Sequence, residues 1–295
     1  MTTPDNPGPQ DPADGPIPAA AAADEVLDLT DAEVLATGAP EVRREGEQVV
    51  IDLRELAPTG RRMEPHPKMT GRPPDMLPGF TIERITGGDR WMAAEAFVYG
   101  IYVELGYTHE SSTQQVEELA RFNDRSTFHA VVSPEGEIVG TTRAIFGGYD
   151  DLPVGKFERV DFEDEDPMCE LSSIVVDPRV RSIGFIEHLY RAGWADALRG
   201  GANAITGLGE KWLLDSFRQS YGLPFVPTGI PEYYMGGDVI PMVMSLKPEA
   251  AAEISRVNPD FWAWSLEALT AEEIDAFGYR PTVPAGSSVA QRGGG

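Results

Sequence analysis

The chain has 295 residues, a formal net charge of −24, 41% hydrophobic and 9% aromatic residues, and a single cysteine. These values predict a globular protein of one or two domains with a full-sized core. The negative charge argues against nucleic acid and anionic membranes as partners, because both are bound through basic surfaces. One cysteine, Cys169, excludes an internal disulfide and a zinc site made of several cysteines, and we expect no metal.

The first 79 residues are predicted to form a disordered or loosely structured extension. Residues 1–23 are rich in Pro, Asp, Gly and Ala, which is typical of disorder. Helical spacing follows at 24–37, a short strand is expected within 47–56, and a Pro-rich link ends the segment. The chain starts with neither a basic stretch nor an apolar core, and no apolar run is long enough to span a membrane, so the sequence predicts a cytoplasmic protein.

A regular pattern of strands and helices runs over residues 80–246, which are expected to form one domain. The predicted elements are a strand at 80–85, helices at 88–106 and 112–122, a hairpin at 127–146, a strand at 168–176, a helix at 184–200, a strand at 202–209, a helix at 210–222 and a strand at 236–246. This order predicts a mixed α/β (α+β) sheet with one right-handed crossover between two parallel strands. A short helical appendage and a disordered tail are expected over 247–295.

The crossover begins with residues suited to holding an anion. After the strand that ends at Val176, the chain places Arg179, Arg181, Ser182 and Gly184 just before the next helix. A helix N-terminus exposes unpaired N–H groups and carries partial positive charge. Small residues let a phosphate approach those groups closely, and the two arginines add charge. The sequence therefore predicts a site for a phosphorylated ligand here.

The pattern Arg179-x-x-Ser182-x-Gly184 resembles the pyrophosphate-binding motif of the GNAT superfamily of N-acyltransferases, with Ser182 in place of the first glycine. Together with the element order over 80–246, it implies a GNAT-like N-acyltransferase fold with central splayed strands. The resemblance also implies acyl-CoA or an acyl-phosphopantetheine as co-substrate. The residues expected to hold that co-substrate are Ser173, Ile174, Val175, Val176, Arg179, Arg181, Ser182, Ile183 and Gly184.

Two further stretches resemble one branch of the superfamily. Residues 97–107, FVYGIYVELGY, are similar to the first helix of acyl-homoserine-lactone synthases and N-acyl amino acid synthases, and 170–176, ELSSIVV, resembles their E-x-S-R strand. Those relatives take acyl groups from acyl-CoA or acyl carrier protein. Ser173 stands at their arginine position, which argues against homoserine-lactone chemistry in this chain.

Acyl transfer to an amine needs a base, an oxyanion site and a departing thiolate. The resemblance implies that amides around Ser173, Ile174 and Val175 hold the acyl carbonyl. Glu170 is the candidate base, and a surface or salt-bridged glutamate is the alternative. Strand alternation predicts that Glu170, Ser172, Ile174 and Val176 share one face, and that Cys169, Leu171, Ser173 and Val175 share the other.

The acid that would protonate the thiolate is less clearly marked. The family often uses a tyrosine on the last helix, where this chain has Phe217. Tyr221 lies one helical turn further on and is our candidate, although a packing role is the alternative. Tyr233 and Tyr234 are weaker candidates.

The leading functional hypothesis is transfer of an acyl group from a CoA or acyl-carrier-protein thioester to a primary amine, in an amino acid, a peptide or a natural product. The alternatives are simple acetylation from acetyl-CoA and a non-catalytic module that binds acyl thioesters. The chain's acidity fits either solubility or a cationic acceptor. An acidic carrier protein would need a local basic patch, for which we name Arg179, Arg181, Arg191, Arg199 and Arg218.

Overall fold

The computed structural model describes residues 41–45, 48–52, 71–160, 165–181 and 183–280. Ser182, the predicted disorder of 1–23, the predicted helix at 24–37 and residues 281–295 lie outside the described residues. No helix in the described ranges is both long enough and apolar enough to cross a bilayer. The expected cytoplasmic location stays a prediction, as do the domain boundaries.

The described part of the chain contains the following elements. The strands are β1 (Glu41–Glu45), β2 (Gln48–Asp52), β3 (Thr81–Ile85), β4 (Ser126–Val132), β5 (Ile138–Gly147), β6 (Met168–Val176), β7 (Ala204–Gly209), β8 (Val226–Pro227), β9 (Glu232–Tyr234) and β10 (Gly237–Ser245). The α-helices are α1 (Gly88–Leu105), α2 (Glu117–Ala120), α3 (Phe185–Arg199), α4 (Lys211–Ser216), α5 (Pro248–Val257), α6 (Pro259–Leu266) and α7 (Ala271–Ala276). A π-helical turn, Phe217–Tyr221, extends α4.

The main sheet has the strand order β3-β4-β5-β6-β7-β10-β8, with β9 paired to β10, while β1 and β2 form a separate antiparallel pair. Every pairing in the main sheet is antiparallel except β6 with β7. The helix between those two strands is α3, so the predicted mixed sheet with a parallel crossover is confirmed. The predicted hairpin corresponds to β4 and β5.

The predicted second helix is wrong in its extent. We expected it over 112–122, but α2 covers only Glu117–Ala120. Gln114 has a φ of 51°, in the left-handed region, and this backbone conformation cannot be part of a right-handed helix. The residues before Val116 therefore form turns instead of a helix.

The two faces of the sheet carry separate hydrophobic clusters. On one face α1 packs through residues such as Trp91 and Val98 onto Phe128 of β4. On the other face α3 packs with α4 and the C-terminal helices, and the rings of Trp194 and Trp262 have centroids 5.7 Å apart. Residues of α5 and α6 thus belong to the same core as the sheet. A ligand between the central strands has apolar walls on both sides.

The centre of the sheet is open, as the predicted splayed strands require. Pairing between β6 and β7 stops at Glu170 and Thr206, although β6 continues to Val176 and β7 to Gly209. On its other edge β6 stays paired to β5, but β6 contains a bulge at Ser173, whose φ is 49°. The parallel strands therefore diverge, and the backbone of β6 beyond Glu170 has no ladder to β7.

Candidate active site

A cavity of about 990 Å³ occupies the gap between β6 and β7. Its lining includes Tyr102 and Leu208 from the side of α1, and Tyr190 and Trp194 from the side of α3. Since these residues belong to opposite faces of the sheet, the cavity passes through the gap. Pockets of this size bury most of a small-molecule ligand. Two reactants entering from opposite faces would meet between the two strands.

Glu170 lies where β6 and β7 part, in the wall of this cavity. Glu170 is 2% exposed, and its Oε2 accepts a hydrogen bond of 2.8 Å from the Val154 backbone N–H. Burial raises the pKa of Glu170 to about 8, although the Val154 hydrogen bond and the charges of Arg143 and Lys156 act in the opposite direction. The alternative of a surface glutamate is therefore wrong. A carboxyl group with this pKa can exchange a proton near neutral pH.

The Val154 N–H that contacts Glu170 is held by a tight double turn, Tyr149–Asp151 followed by Pro153–Lys156. A Cβ on Gly155 would lie 2.7 Å from backbone atoms of Tyr149 and Asp150, which cannot rotate away as a side chain can. The turn therefore requires glycine at this position.

We expect Gly155→Ala to lower the free energy of unfolding by about 1–3 kcal/mol, because the added methyl group overpacks the turn. The same shift should loosen the Val154 hydrogen bond and raise the pKa of Glu170 further. Urea unfolding and the pH dependence of activity measure the two effects. Gly100→Ala is a suitable comparison, because Gly100 is an exposed residue of helix α1 without a positive φ, and a Cβ there meets nothing within 4 Å. If Gly155→Ala left the free energy of unfolding and the pH profile unchanged, this turn would not be what holds the Val154 N–H against Glu170.

The bulge at Ser173 corrects the predicted alternation of β6. Cys169 and Leu171 both face the α3 side, as the alternation predicts for odd-numbered residues. The even-numbered Ile174 nevertheless packs into the same hydrophobic cluster beside α3. Val175 instead contacts the cluster beside α1. The extra residue in the bulge exchanges the two faces, so the prediction that Glu170 and Ile174 share a face is wrong.

Ser173 itself lines the cavity, and its side chain is buried. Its carbonyl oxygen accepts a 3.0 Å hydrogen bond from the Thr141 hydroxyl, which anchors the bulge. The Tyr102 hydroxyl lies close enough to interact with the Ser173 side chain without reaching hydrogen-bond geometry. Burial raises the pKa of Tyr102 to about 12. The bulge thus places neutral polar groups beside the strand backbone that we expect to hold an acyl carbonyl.

The predicted co-substrate residues fall into two groups. Those that line the cavity are Ser173, Ile174, Val175, Val176, Arg181 and Gly184. Ile183 and Arg179 are not part of the lining, and Arg179 instead forms an ion pair with Asp177, whose Oδ2 is 3.0 Å from its Nε. Ser182 lies outside the described residues. Arg181 is therefore the arginine of the motif that can meet a ligand.

The structure differs from the expected open approach to Gly184. Gly184 has a φ of 88°, and a Cβ built on it would lie 2.6 Å from Cγ of Pro74. The Pro74 carbonyl oxygen is also 3.0 Å from Nε2 of His188. The segment around Pro74 thus covers part of the N-terminus of α3. A phosphate group reaches this helix end only beside Pro74 or after its displacement.

Tyr221 is held away from the cavity. It is 1% exposed, does not line the cavity, and its hydroxyl donates a 2.9 Å hydrogen bond to Oε1 of Glu187. Burial raises the pKa of Tyr221, and the charge of Glu187 adds to that rise. Phe217 and Tyr234 do line the cavity, whereas Tyr233 is 74% exposed and lies outside it. A catalytic role for Tyr221 stays a prediction, and its hydroxyl is linked to the cavity wall through Glu187.

Several polar residues of the cavity wall were not predicted from the sequence. Glu187, Tyr190 and Trp194 lie on successive turns of α3, a spacing that places them on one face. Glu210 directly follows β7, and its two oxygens accept hydrogen bonds from Tyr107 at 3.4 Å and from Trp212 at 3.1 Å. The position of Glu210 at the end of a central strand was the signal available in the sequence.

Charge is distributed unevenly around the cavity. On the side of α1 the wall contains the carboxylates of Glu104, Glu170 and Glu210. The cations of the described lining are Arg181 and Arg191, which both belong to the α3 side. The α1 side of the cavity therefore favours a cationic ligand, and the α3 side favours an anionic ligand.

The five arginines proposed as a docking patch are not a set of free cations. Arg179 pairs with Asp177, and Arg199 pairs with Glu273. Arg191 packs on the Trp264 ring with its Cζ 4.0 Å from the ring centroid, and Arg218 donates to the Phe225 carbonyl. Arg191 also pairs with Glu267, whereas Arg181 and Arg218 have no ion pair among the described residues. The structure therefore gives no basic patch built from all five.

No family model and no curated protein matches the sequence. Among solved structures, a CoA-dependent acyl-homoserine lactone synthase, BjaI, with SAM and isopentyl-CoA is similar at 14% identity and a TM-score of 0.49, covering 63% of this chain and 98% of that one. FeeM, an N-acyl amino acid synthase from uncultured soil microbes, has 16% identity and a TM-score of 0.45, covering 59% and 94%. A putative N-acetyltransferase from Lactobacillus plantarum has 16% identity and a TM-score of 0.41, covering 56% and 97%.

These solved structures are acyltransferases of the kind that the sequence resembles. Every identity lies below 25% and every TM-score below 0.5, so they bear on neither activity nor substrate. Within the described residues, no group of three or more His, Cys, Asp or Glu side chains is arranged to hold a metal.

Proposed function

We propose that the protein is an N-acyltransferase that moves an acyl group from a thioester of CoA to a primary amine. The observation that carries this proposal is the cavity through the gap between β6 and β7, with Glu170 at the point where the strands part. A thioester and an amine can approach this point from opposite faces. The carboxyl group needed to deprotonate the amine lies between them.

The chemistry assigned to the site is balanced by groups of the chain and its substrates. The Glu170 carboxylate takes a proton from the acceptor ammonium, directly or through water. The free amine attacks the thioester carbon, and the resulting oxyanion receives hydrogen bonds from the β6 amides around Ser173, Ile174 and Val175. The C–S bond then breaks, and the thiolate leaves unaided, because a thiol has a pKa of about 8.5. The thiolate takes the second proton of the attacking nitrogen, directly or through water, which yields the amide and the free thiol.

The acceptor best supported by the wall of the cavity is a cationic amine. Glu104, Glu170 and Glu210 line the α1 side, and no lysine or arginine of the described residues lines that side. A carboxylate on the acceptor would be repelled by Glu104 and Glu210, and by Glu170 once it is ionised. The chain's net charge of −24 extends the same preference to its surface.

The donor best supported is an acyl-CoA whose acyl chain is longer than acetyl. The α3 side of the cavity is lined with aromatic and aliphatic side chains, including Phe217, Met242, Phe261 and Trp262. Burying each CH₂ of a chain against such walls contributes about 0.8 kcal/mol. Acyl carrier protein is an alternative donor, and the missing five-arginine patch weighs against it.

Mass spectrometry of the protein incubated with paired acyl thioesters and amines tests this function. We expect an amide product with a cationic amine and a medium or long acyl-CoA. Product with acetyl-CoA alone would replace this proposal by simple acetylation. Thioester binding in calorimetry without release of free thiol would support the non-catalytic module instead.

Arg181→Ala should raise the Michaelis constant for the acyl-CoA by roughly 10-fold, because a charge-assisted hydrogen bond to phosphate is lost. The acceptor's Michaelis constant should change little. Arg179→Ala is the matched control, since Arg179 pairs with Asp177 and does not line the cavity. Steady-state kinetics with each substrate varied in turn measure both constants. Equal effects of Arg181→Ala on donor and acceptor would refute the assignment.

A further inference from the structure

We infer that Glu187 accepts a hydrogen bond from the pantetheine arm of the donor, an inference that rests on the proposed function. Glu187 lies in the first turn of α3, lines the cavity and is 8% exposed. Nothing in the acyl-transfer chemistry described above uses it. Its position beside the donor half of the cavity is therefore unexplained by the reaction itself.

One oxygen of Glu187 is satisfied and the other is not. Oε1 accepts the 2.9 Å hydrogen bond from the Tyr221 hydroxyl. Oε2 is buried and has no hydrogen-bond partner, and no ion pair to Glu187 exists among the described residues. Leaving a buried acceptor unpaired is costly, and the cost is larger for a charged group. Glu187 lines the cavity, so a ligand there can supply the missing donor when the wall that covers Oε2 moves aside.

Packing holds Glu187 in place in the absence of a ligand. The ring of its partner Tyr221 lies between Tyr190 and Phe261, with centroids 5.8 Å and 5.5 Å away. The Asn258 side chain donates to the Tyr221 carbonyl oxygen at 3.3 Å, which ties α6 to the same tyrosine. A carboxylate fixed in this way loses little side-chain entropy when it binds.

The pantetheine arm is the part of the donor whose chemistry and position fit. Glu187 follows Gly184 by three residues, which is about 4.5 Å along a helix. The arm is joined to the phosphates expected at that helix end and runs from there toward the gap between β6 and β7. Its pantoyl part, which is the part next to the phosphates, carries a hydroxyl and an amide N–H that can donate to Oε2. A hydrocarbon chain has no donor, and a diphosphate would be repelled by the carboxylate.

The test compares two donors that carry the same acyl group, acyl-CoA and the acyl thioester of N-acetylcysteamine, which lacks the pantoyl part of the arm. We expect Glu187→Leu and Glu187→Gln to raise the Michaelis constant for acyl-CoA by roughly 10-fold or more, as loss of a hydrogen bond to a charged group does. We expect kcat to change much less. The constant for the truncated thioester should stay near its wild-type value.

Glu95→Gln is the matched control, because Glu95 is also a buried carboxylate, bonded to Gln115 at 2.9 Å, but does not line the cavity. It should leave the ratio of the two constants unchanged. Equal losses with both thioesters in the Glu187 variants, or an unchanged constant for acyl-CoA, would overturn the inference.

Calorimetry with CoA separates this inference from the proposed function. If wild type forms no amide product but binds CoA, and Glu187→Leu weakens that binding about 10-fold, the function fails and the contact survives. If product forms and CoA affinity is the same in wild type and variant, the contact fails and the function survives.

Discussion

Glu170→Gln is expected to lower kcat by roughly 100- to 10,000-fold, the usual contribution of a general base. Glutamine keeps the volume and can still accept the Val154 N–H, which is 2.8 Å from the carboxylate. It cannot take a proton, so the donor's Michaelis constant should change little while the chemical step slows. Steady-state kinetics measure this, and Glu118→Gln, an exposed glutamate outside the cavity, is the control.

The role of Glu170 as a base also predicts how kcat depends on pH. Since the pKa of Glu170 is raised to about 8, the group is protonated and inactive as a base at pH 6, and it is ionised above pH 8. The wild-type kcat should therefore rise with pH, reach half its maximum at about pH 8 and level off about one pH unit higher. The glutamine variant should lose that rising limb. A wild-type profile that was flat between pH 6 and 9 would count against Glu170 as the base.

The order of elements could be predicted because each one has a local cause. The β-branched residues of β6 favour a strand, and Pro178, which lacks an N–H, ends it. The hairpin of β4 and β5 follows from its turn residues, and α3 from its helical spacing. The one large error in extent, at α2, arises where Gln114 adopts a positive φ that its residue type does not announce.

The site could be predicted only where its residues are neighbours in the chain. Glu170 and Arg181 lie in one continuous stretch, and both line the cavity. The contact of Pro74 with Gly184 joins residues that are far apart in sequence, so no local pattern indicates it. The partner of Tyr221 is also distant, because Glu187 lies on another helix. Long-range packing decides which small residue faces an open site and which tyrosine faces the core.

The bulge at Ser173 shows why strand alternation was not enough. A period of two holds only while each residue of β6 faces one residue of β5, and the bulge breaks that match between Thr141 and Arg143. The result places Glu170 and Ser173 in the wall of one cavity. A single extra residue thus changes which side chains can cooperate.

Burial of Glu170 should also make the protein less stable as the pH rises. The pKa of this carboxyl is about 8 in the folded protein against 4.5 for an ordinary glutamate, so folding favours the protonated form. The stability that the protonated Glu170 contributes is fully present below pH 4.5 and is lost as the pH rises through 8. At 1.36 kcal/mol per pKa unit, the full loss in the free energy of unfolding is about 5 kcal/mol. Glu170→Gln cannot ionise and should avoid this loss.

Urea unfolding at pH 5, 7 and 9 tests this directly, with Glu118→Gln as the exposed control. The free energy of unfolding of Glu170→Gln should exceed that of wild type by an amount that grows from pH 5 to pH 9, while the control follows wild type throughout. Parallel curves for wild type and Glu170→Gln would mean that the carboxyl is not desolvated in the folded protein. In that case its role as a base with a raised pKa would fail as well, since burial is the common cause of both effects.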